Sequence, residues 1–404
     1  MFRGLTRKIA PIFAIILSFS VVVSACGSTA TTTPSASPSA SASADASASS
    51  SAPPASVTTS YKIGINTWGS GVPVLDQFGD NGEYVFKVLG STTMRASDDF
   101  TPDKESANVQ NFCSAGVNGL DLQAAGVTNL LQMAQTAQNA KVPFVINTFV
   151  GSDADRAKLA DSNPYYVGSI ANDLVEDGKT VADIAIADGC KTAVILGGNI
   201  GDTTQDLRLQ GFTEEFTAKG GTVLANARCT DASEAPAKAE DMLSANKDVQ
   251  AVYAMVGDYV PGAVSALDNL GLTGKVNIYL SGVDKHSAGY IKDGTVKAGA
   301  DGLFLASYIA PTLLLNYLDG HPIKDQNGKA PELRNNCFKV DSANIDAYMS
   351  IFTTDGVNPI TDDMLKNLCW RYNSSVTYQT YVDLLDSGLT LNALLTAHNL
   401  PTVG

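Results

Sequence analysis

Arg208 and Asp284 are the charged residues best placed along this chain to grip a molecule covered in oxygens. Arg208 lies in KTAVILGGNIGDTTQDLRLQGF, residues 191 to 212. There the β-branched run Thr192–Leu196 gives way to Gly197-Gly198-Asn199 and then to a polar helical start. A guanidinium offers five donors in a rigid fork and no acceptor, which suits hydroxyl oxygens. Asp284 closes Gly282-Val283-Asp284 and can accept from the same hydroxyls. Hydrogen bonds to such charged groups are about twice as strong as neutral ones. Trp68, after Lys62–Thr67 and before Gly69-Ser70-Gly71, supplies a flat apolar face, and Asn66 an amide. Each has an ordinary alternative: Arg208 paired on the surface with Asp206 or Glu214, Asp284 as a helix N-cap, Trp68 as edge packing, Asn66 capping backbone.

Hydrolytic and redox chemistry find little to work with. The three histidines, His286, His321 and His398, form neither a triad nor a zinc spacing, and there is no G-x-S-x-G elbow. Gly197-Gly198-x-x-Gly201 leaves a dinucleotide fingerprint incomplete, and no C-x-x-C suggests a metal. A formal charge of -14 with no basic stripe argues against nucleic acid. Binding without cofactor or metal is the expectation. A surface-tethered hydrolase is the distant alternative.

The elements that must hold these residues alternate in type. Strands are predicted at Lys62–Thr67, Thr92–Ala96, Gly119–Gln123 and Pro143–Thr148, with helices at Pro102–Ser114 and Thr128–Asn139. The plan then repeats, with helix Asn172–Asp188, strand Thr192–Leu196, helix Asp206–Lys219 and strand Val223–Ala227. Helix Ala235–Ala245, strand Ala251–Met255, helix Gly262–Leu270 and strand Val276–Leu280 follow, and later a helix at Pro311–Leu318. Strand followed by helix, repeated, is the signature of parallel doubly wound sheets, and 404 residues suit two of them. Ligands of such sheets collect outside the carboxyl ends of the strands.

Several segments in order resemble the ribose/galactose-type, or type I, periplasmic binding proteins. They are Ala107-Asn108-Val109-Gln110 before Gly116–Leu120, Val142–Ile146, Tyr166–Ser169, the R-x-x-G-F of Arg208–Phe212, Asp248–Ala254 with Gly262-Ala263, and Gly282–Asp284. The likeness runs from about Tyr61 to Val340. It implies an α/β fold of two doubly wound parallel-sheet lobes joined by a three-segment hinge, with crossings near Ser169, Gly302 and Val340. The lobes would be 60–169 plus 303–338, and 170–302 plus 339–404. The resemblance further implies a monomeric, extracytoplasmic sugar-binding protein that serves the permease of an ABC importer. A receptor for a nucleoside, polyol or furanose signal is the alternative. Three departures mark the site. Where the family's sugar binders carry Asp-Arg after the fourth strand, this chain has Thr148-Phe149 after Asn147. Its Asn-Asp becomes Val256-Gly257, followed by Asp258, and its glutamine becomes Gly302, beside Asp301. The expected contacts are Asn66, Trp68, Asn147, Thr148, Phe149, Arg208, Asp258, Asp284 and Asp301. The expected guest is a monosaccharide or short oligosaccharide other than ribose, since Gly257, Gly302 and the Gly69–Gly71 loop make room for more than one ring. Arg208→Ala is expected to abolish binding and to leave the melting point within a degree or two.

The two ends of the chain add an address and an extension. Arg3, Arg7 and Lys8 precede the apolar run Ile9–Val23, too short to span a bilayer comfortably, so residues 1–25 read as a signal peptide. Val23-Ser24-Ala25-Cys26-Gly27 resembles a bacterial lipobox, which makes Cys26 the lipidated anchor to the outer face of a cell membrane. Residues 26–59, nearly all Ser, Ala, Thr and Pro, read as a disordered tether of the Gram-positive kind. Of the five further cysteines, Cys337 and Cys369 are the better candidates for a disulfide, and Cys190 with Cys229 lie too far apart along parallel strands. Residues 341–404 read as a helical tail, with helices at Met364–Cys369 and Asp386–Ala397, packed on the second lobe.

Overall fold

The computed structural model describes residues 59–125 and 129–404. The signal peptide, Cys26 and all of the tether before Thr59 lie outside the described residues. Two six-stranded sheets carry the described chain. The first uses β1 (Lys62–Thr67), β2 (Thr92–Ser97), β3 (Gly119–Ala124), β4 (Phe144–Val150) and β5 (Tyr166–Asn172). The second uses β6 (Thr192–Gly197), β7 (Thr222–Arg228), β8 (Ala251–Ala254), β9 (Asn277–Ser281) and β10 (Ala298–Asp301). Two short strands, β11 (Glu332–Asn335) and β12 (Phe338–Asp341), complete one edge of each. The orders are β11-β5-β4-β3-β1-β2 and β12-β10-β9-β8-β6-β7. Every pairing is parallel except β10 with β12. Helices cover both faces, so β3 and β5 are buried along their whole length. All the main strands of a lobe therefore end on one side, and the site must be sought there.

The chain passes between lobes three times, as expected, at slightly different places. Asp173 leads from β5 into the helix Leu174–Ala187 of the second lobe, Gly302–Phe304 leads from β10 into the helix Leu305–Leu318 of the first, and Asn336-Cys337 joins β11 to β12. The first and third crossings differ from the expected Ser169 and Val340 because the β5–β11 ladder runs on to Asn172 and Asn335. In the second lobe the helices Leu174–Ala187 and Thr203–Ala218 touch backbone to backbone. A Cβ on Gly178 would stand 2.2 Å from the Arg208 carbonyl oxygen, and one on Gly211 would stand 2.0 Å from that of Val175. Only glycine permits that approach.

Elsewhere the structure departs from expectation. The helix expected from Pro311 begins six residues earlier and keeps the proline inside. Nearly every side chain from Leu305 to Asn316 is buried, and that packing outweighs the ~3 kcal/mol an internal proline costs. The helix Asp153–Ser162 was not expected at all. It buries only Arg156 and Leu159, too little apolar periodicity to read, and is started by Ser152 accepting from the Asp155 amide at 3.2 Å. All five described cysteines are free, so Cys337 and Cys369 are not bridged. Cys337 lies in the third crossing, while Cys369 is buried in the tail.

The tail divides between the lobes. Its first helix, Ile345–Phe352, sits on the second lobe through Lys292–Asp346 at 2.9 Å and Tyr348 donating to the Val283 carbonyl at 2.5 Å. The helices Asp362–Asn367, Tyr378–Asp383 and Leu391–Ala397 follow, and the residues from Asp362 to Tyr381 dock on the first lobe. Tyr84 bonds Asp362 at 2.6 Å, Thr312 and Tyr381 hydroxyls meet at 2.7 Å, and Asn316 Nδ2 donates to the Leu368 carbonyl at 2.8 Å. Arg371 grips Asp319 with Nε and Nη2, at 2.7 and 2.6 Å.

Candidate functional site

On the first lobe the expected amides turn inward. Asn66 is buried, donating to Asp98 Oδ2 at 2.5 Å and the Gln123 carbonyl at 2.9 Å while accepting from the Gln123 amide at 2.7 Å. Every hydrogen-bonding atom of its side chain is engaged in tying β2, β1 and β3 together. Asp98, also bonded by Asn108 at 2.8 Å, is pushed up to about 6 by burial. Asn147 is likewise buried, donating to Asp121 and accepting from the Thr148 hydroxyl at 2.9 Å. Burial raises Asp121 to about 7. These two amides hold the strand ends in register and have little left for a guest.

What remains on that edge is aromatic. Thr148 has φ of +60°, a costly setting for a β-branched residue. Beyond it Phe149 packs edge-on against Phe78 at 5.8 Å, and Phe78 meets Phe304 of the second crossing at the same distance. The half-buried Trp68 donates from its backbone amide to the Gln123 side-chain oxygen at 3.0 Å. Its indole stands edge-on to Phe100, with centroids 6.3 Å apart and planes at 84°. Following the strand order β4, β3, β1, β2, the lobe thus ends in Phe149, Gln123, Trp68 and Phe100. Phe100 was missed because a phenylalanine after Asp98-Asp99 carries no pattern of its own.

On the second lobe Arg208 is not a rim residue. It is 1% exposed, and Nε pairs with the equally buried Asp177 at 2.6 Å while Nη1 donates to the Met255 carbonyl at 2.9 Å. Asp177 also accepts from Ser281 at 2.7 Å, and Ser281 meets the Tyr253 hydroxyl at 2.7 Å. Burial opposes the Arg208 charge, and Asp177 more than compensates, leaving its pKa raised. Nη2 alone has no partner, and a Cβ on Gly282 would stand 3.7 Å from it. The surface partners expected for Arg208 are engaged elsewhere, Asp206 with Arg228 at 2.7 Å and Glu214 with Gln210 at 2.9 Å.

The aspartates of this lobe divide by depth. Asp284 caps the helix Lys285–Lys292, its Oδ1 accepting from the amides of His286 and Ser287 at 2.9 and 2.6 Å. Its Oδ2 faces Gly257, where an added Cβ would come within 3.1 Å. Asp258 stands exposed on the next loop, its pKa raised by partial burial and then by the Asp284 charge. Asp301 is buried at the second crossing, accepts from the tail residue Tyr348 at 2.8 Å and has one oxygen without a partner. Burial raises it to about 7, and Tyr348 pulls the other way. Sequence reasoning missed both Asp177 and Tyr348. A carboxylate facing a glycine gap and a second on the next loop can accept from hydroxyls, while the opposite lobe offers ring faces. Among the described residues no group of three or more His, Cys, Asp or Glu could hold a metal.

Two cavities lie elsewhere. One of about 490 Å³ runs between the helix Asp153–Ser162, β11 and Tyr378. Its charges satisfy one another, Arg156 with Glu332 at 3.2 Å and Arg334 with Asp153 at 3.4 Å. The other, about 370 Å³, lies under the stacked pair His321–Trp370.

Residues 73–322, more than half of the chain, match the family described as periplasmic binding protein domain. The ribose import binding protein of Salmonella typhimurium is 31% identical over 207 residues, 49% of this chain and 64% of that protein, just under two thirds of its length. Among solved structures, a periplasmic solute-binding protein of an ABC transporter from Actinobacillus succinogenes, with bound D-allose, superposes with a TM-score of 0.64 at 19% identity. It covers 71% of this chain and 100% of that one. A solute-binding protein of an ABC transporter from Bacillus halodurans, with bound myo-inositol, gives 0.62 at 15% identity, covering 72% and 98%. The chain belongs to the periplasmic binding protein family, and its two parallel-sheet lobes with three crossings are the type I form of that fold.

Proposed function

We propose that this protein is an extracytoplasmic receptor that captures a sugar between its two lobes and hands it to the permease of an ABC transporter. The observation that carries the reading is the pairing of unlike edges. The first lobe ends in ring faces, Phe149 and Trp68, and the second in carboxylates, Asp258 and Asp284, with the Arg208 Nη2 behind them. A sugar has both a C–H face and hydroxyl donors, so each lobe supplies half of what it needs. Contacts made to both lobes at once are what let a ligand select a closed state. The ribose, allose and myo-inositol named for the relatives support a polyhydroxylated guest. The inositol case makes a polyol the second reading.

Of the nine expected contacts, Trp68, Phe149, Asp258, Asp284 and the free nitrogen of Arg208 stay in the proposed site. Asn66, Asn147, Thr148 and Asp301 serve as the framework behind it. The protein acts as a binding component without catalysis, and Cys26 would hold it at the outer face of the membrane. The test is a thermal-shift screen of residues 27–404 against ribose, allose, glucose, galactose, their disaccharides and myo-inositol. A sugar that binds only the folded form raises the melting temperature, by an amount that grows with its concentration. A flat response to every sugar and polyol at millimolar concentration refutes the reading.

A further inference from the structure

Phe100 is the residue on the first-lobe edge that the reading above leaves unused. It lies just beyond β2 and is 49% exposed, among the most exposed large apolar side chains of the described residues. It does not sit there by default. Asp99 and Phe100 are successive non-glycine residues in the left-handed region, with φ of +47° and +58°. Two such settings in succession are uncommon, above all for a bulky ring, and persist only where the surroundings over-determine them. Here the Phe100 amide donates to the Trp68 carbonyl at 2.9 Å, the Thr101 amide to the Asp98 carbonyl at 3.0 Å, and the Asp99 amide to Ser97 Oγ at 3.1 Å. Gly69 leaves room for the ring, since a Cβ there would stand 2.1 Å from its Cζ. A ring that only covered Gly69 would hide most of its surface. This one shows half.

We propose that Trp68 and Phe100 are two stacking positions set at right angles, and that the site takes a ligand of two linked sugar rings. The inference rests on the sugar-binding reading above. At 84° between planes, no single ring can lie flat on both aromatic faces. β2 is the edge strand, and Phe100 follows its end on the side of Trp68 away from Phe149, with its ring centroid 6.3 Å from that of the indole. Asp99 and Lys104, both on the surface and paired at 2.9 Å, place hydrogen-bonding groups beside this outer position. The inner ring would be read by Trp68 and the carboxylates of the second lobe, the outer ring by Phe100.

Calorimetry on residues 27–404 tests this with glucose and galactose against maltose, cellobiose, lactose and melibiose. At least one disaccharide should bind about tenfold or more tightly than its component monosaccharides. Phe100→Ala should weaken that disaccharide roughly 3- to 10-fold, the scale of one aromatic contact, and leave monosaccharide affinity unchanged. Phe100→Leu, which keeps an apolar side chain over Gly69, should behave the same way and guards against a folding defect. If either variant binds the disaccharide as the parent does, or loses monosaccharide and disaccharide equally, the two-ring site is wrong. A parent protein that prefers monosaccharides overturns it too. Binding of no sugar at all refutes the receptor reading beneath it, an outcome distinct from sugar binding that ignores Phe100.

Discussion

Arg208→Ala should unfold the second lobe early, not merely empty the site. Removing the guanidinium strands Asp177, which is 1% exposed and would retain only Ser281 as a donor. Breaking a buried pair by deleting one partner costs about 3–5 kcal/mol, because the remaining charge is left uncompensated. A unit of 150–250 residues loses about 2–4 °C for each kcal/mol, so the melting point of the second lobe should fall by roughly 6–20 °C. Differential scanning calorimetry of residues 27–404 without ligand reads this directly. The double variant Arg208→Met with Asp177→Leu should recover much of the loss, because replacing both partners by apolar groups is often neutral. A melting point within a degree or two of the parent, together with lost binding, would refute the reasoning and return Arg208 to the rim as a contact.

Two further outcomes are expected. Asp301 and Asp121 are raised to about 7 by burial, so the folded chain keeps those protons to about neutral pH while an unfolded aspartate loses its own near pH 4. Stability should therefore fall as the pH rises from about 4 to 7. Asp301→Asn should make that slope shallower in a melting series, and an unchanged slope would remove Asp301 from the account. In the tail, Tyr381→Phe deletes a buried hydroxyl that meets Thr312 at 2.7 Å, Asn316 at 3.0 Å and the Leu368 carbonyl at 3.0 Å. It should cost about 1–3 kcal/mol by denaturant titration with sugar affinity unchanged. No loss would mean that the tail does not stabilise the first lobe.

The inner strands could be read from sequence because they are short runs buried along nearly their whole length, a property of the residues themselves, whereas the edge strands Thr92–Ser97 and Thr222–Arg228 are at most half-buried. Thr192–Gly197 and Lys62–Thr67 stood where their side chains put them. What could not be read was pairing at a distance. Asp177 lies 31 residues from Arg208, on the far side of a strand, and Tyr348 lies 47 residues from Asp301. A charged residue near a predicted strand end looks the same whether it faces a cleft or an opposite charge, and only the partner decides. The same limit hid the Asn66–Asp98 bond, across 32 residues. The aromatic edge was half visible: Trp68 and Phe149 stood out by type and position, whereas Phe100 depends on a left-handed turn that Asp99-Phe100 gives no reason to expect. Pro311 misled in the other direction, since a local rule for helix starts yields to a helix buried nearly all round.

The tail bears on how two such lobes could bend. It touches both sides of the second crossing: Tyr348 holds Asp301, just before Gly302, while Asn358 and Tyr381 meet Tyr308 and Thr312, just after it. A rigid connection there would add a fourth strut and oppose any motion of one lobe on the other. The two halves of the tail are joined by residues 353–361, which form neither helix nor strand. That link is tied to both lobes, by Lys285 to Asp355 at 3.0 Å and by Tyr308 to Asn358 at 3.2 Å, and His398 meets the Pro359 carbonyl at 3.2 Å. The helix Leu391–Ala397 also packs against Ile345–Phe352, so the two halves meet directly. The tail is therefore a fourth connection between the lobes, and any closure must bend it together with the three crossings.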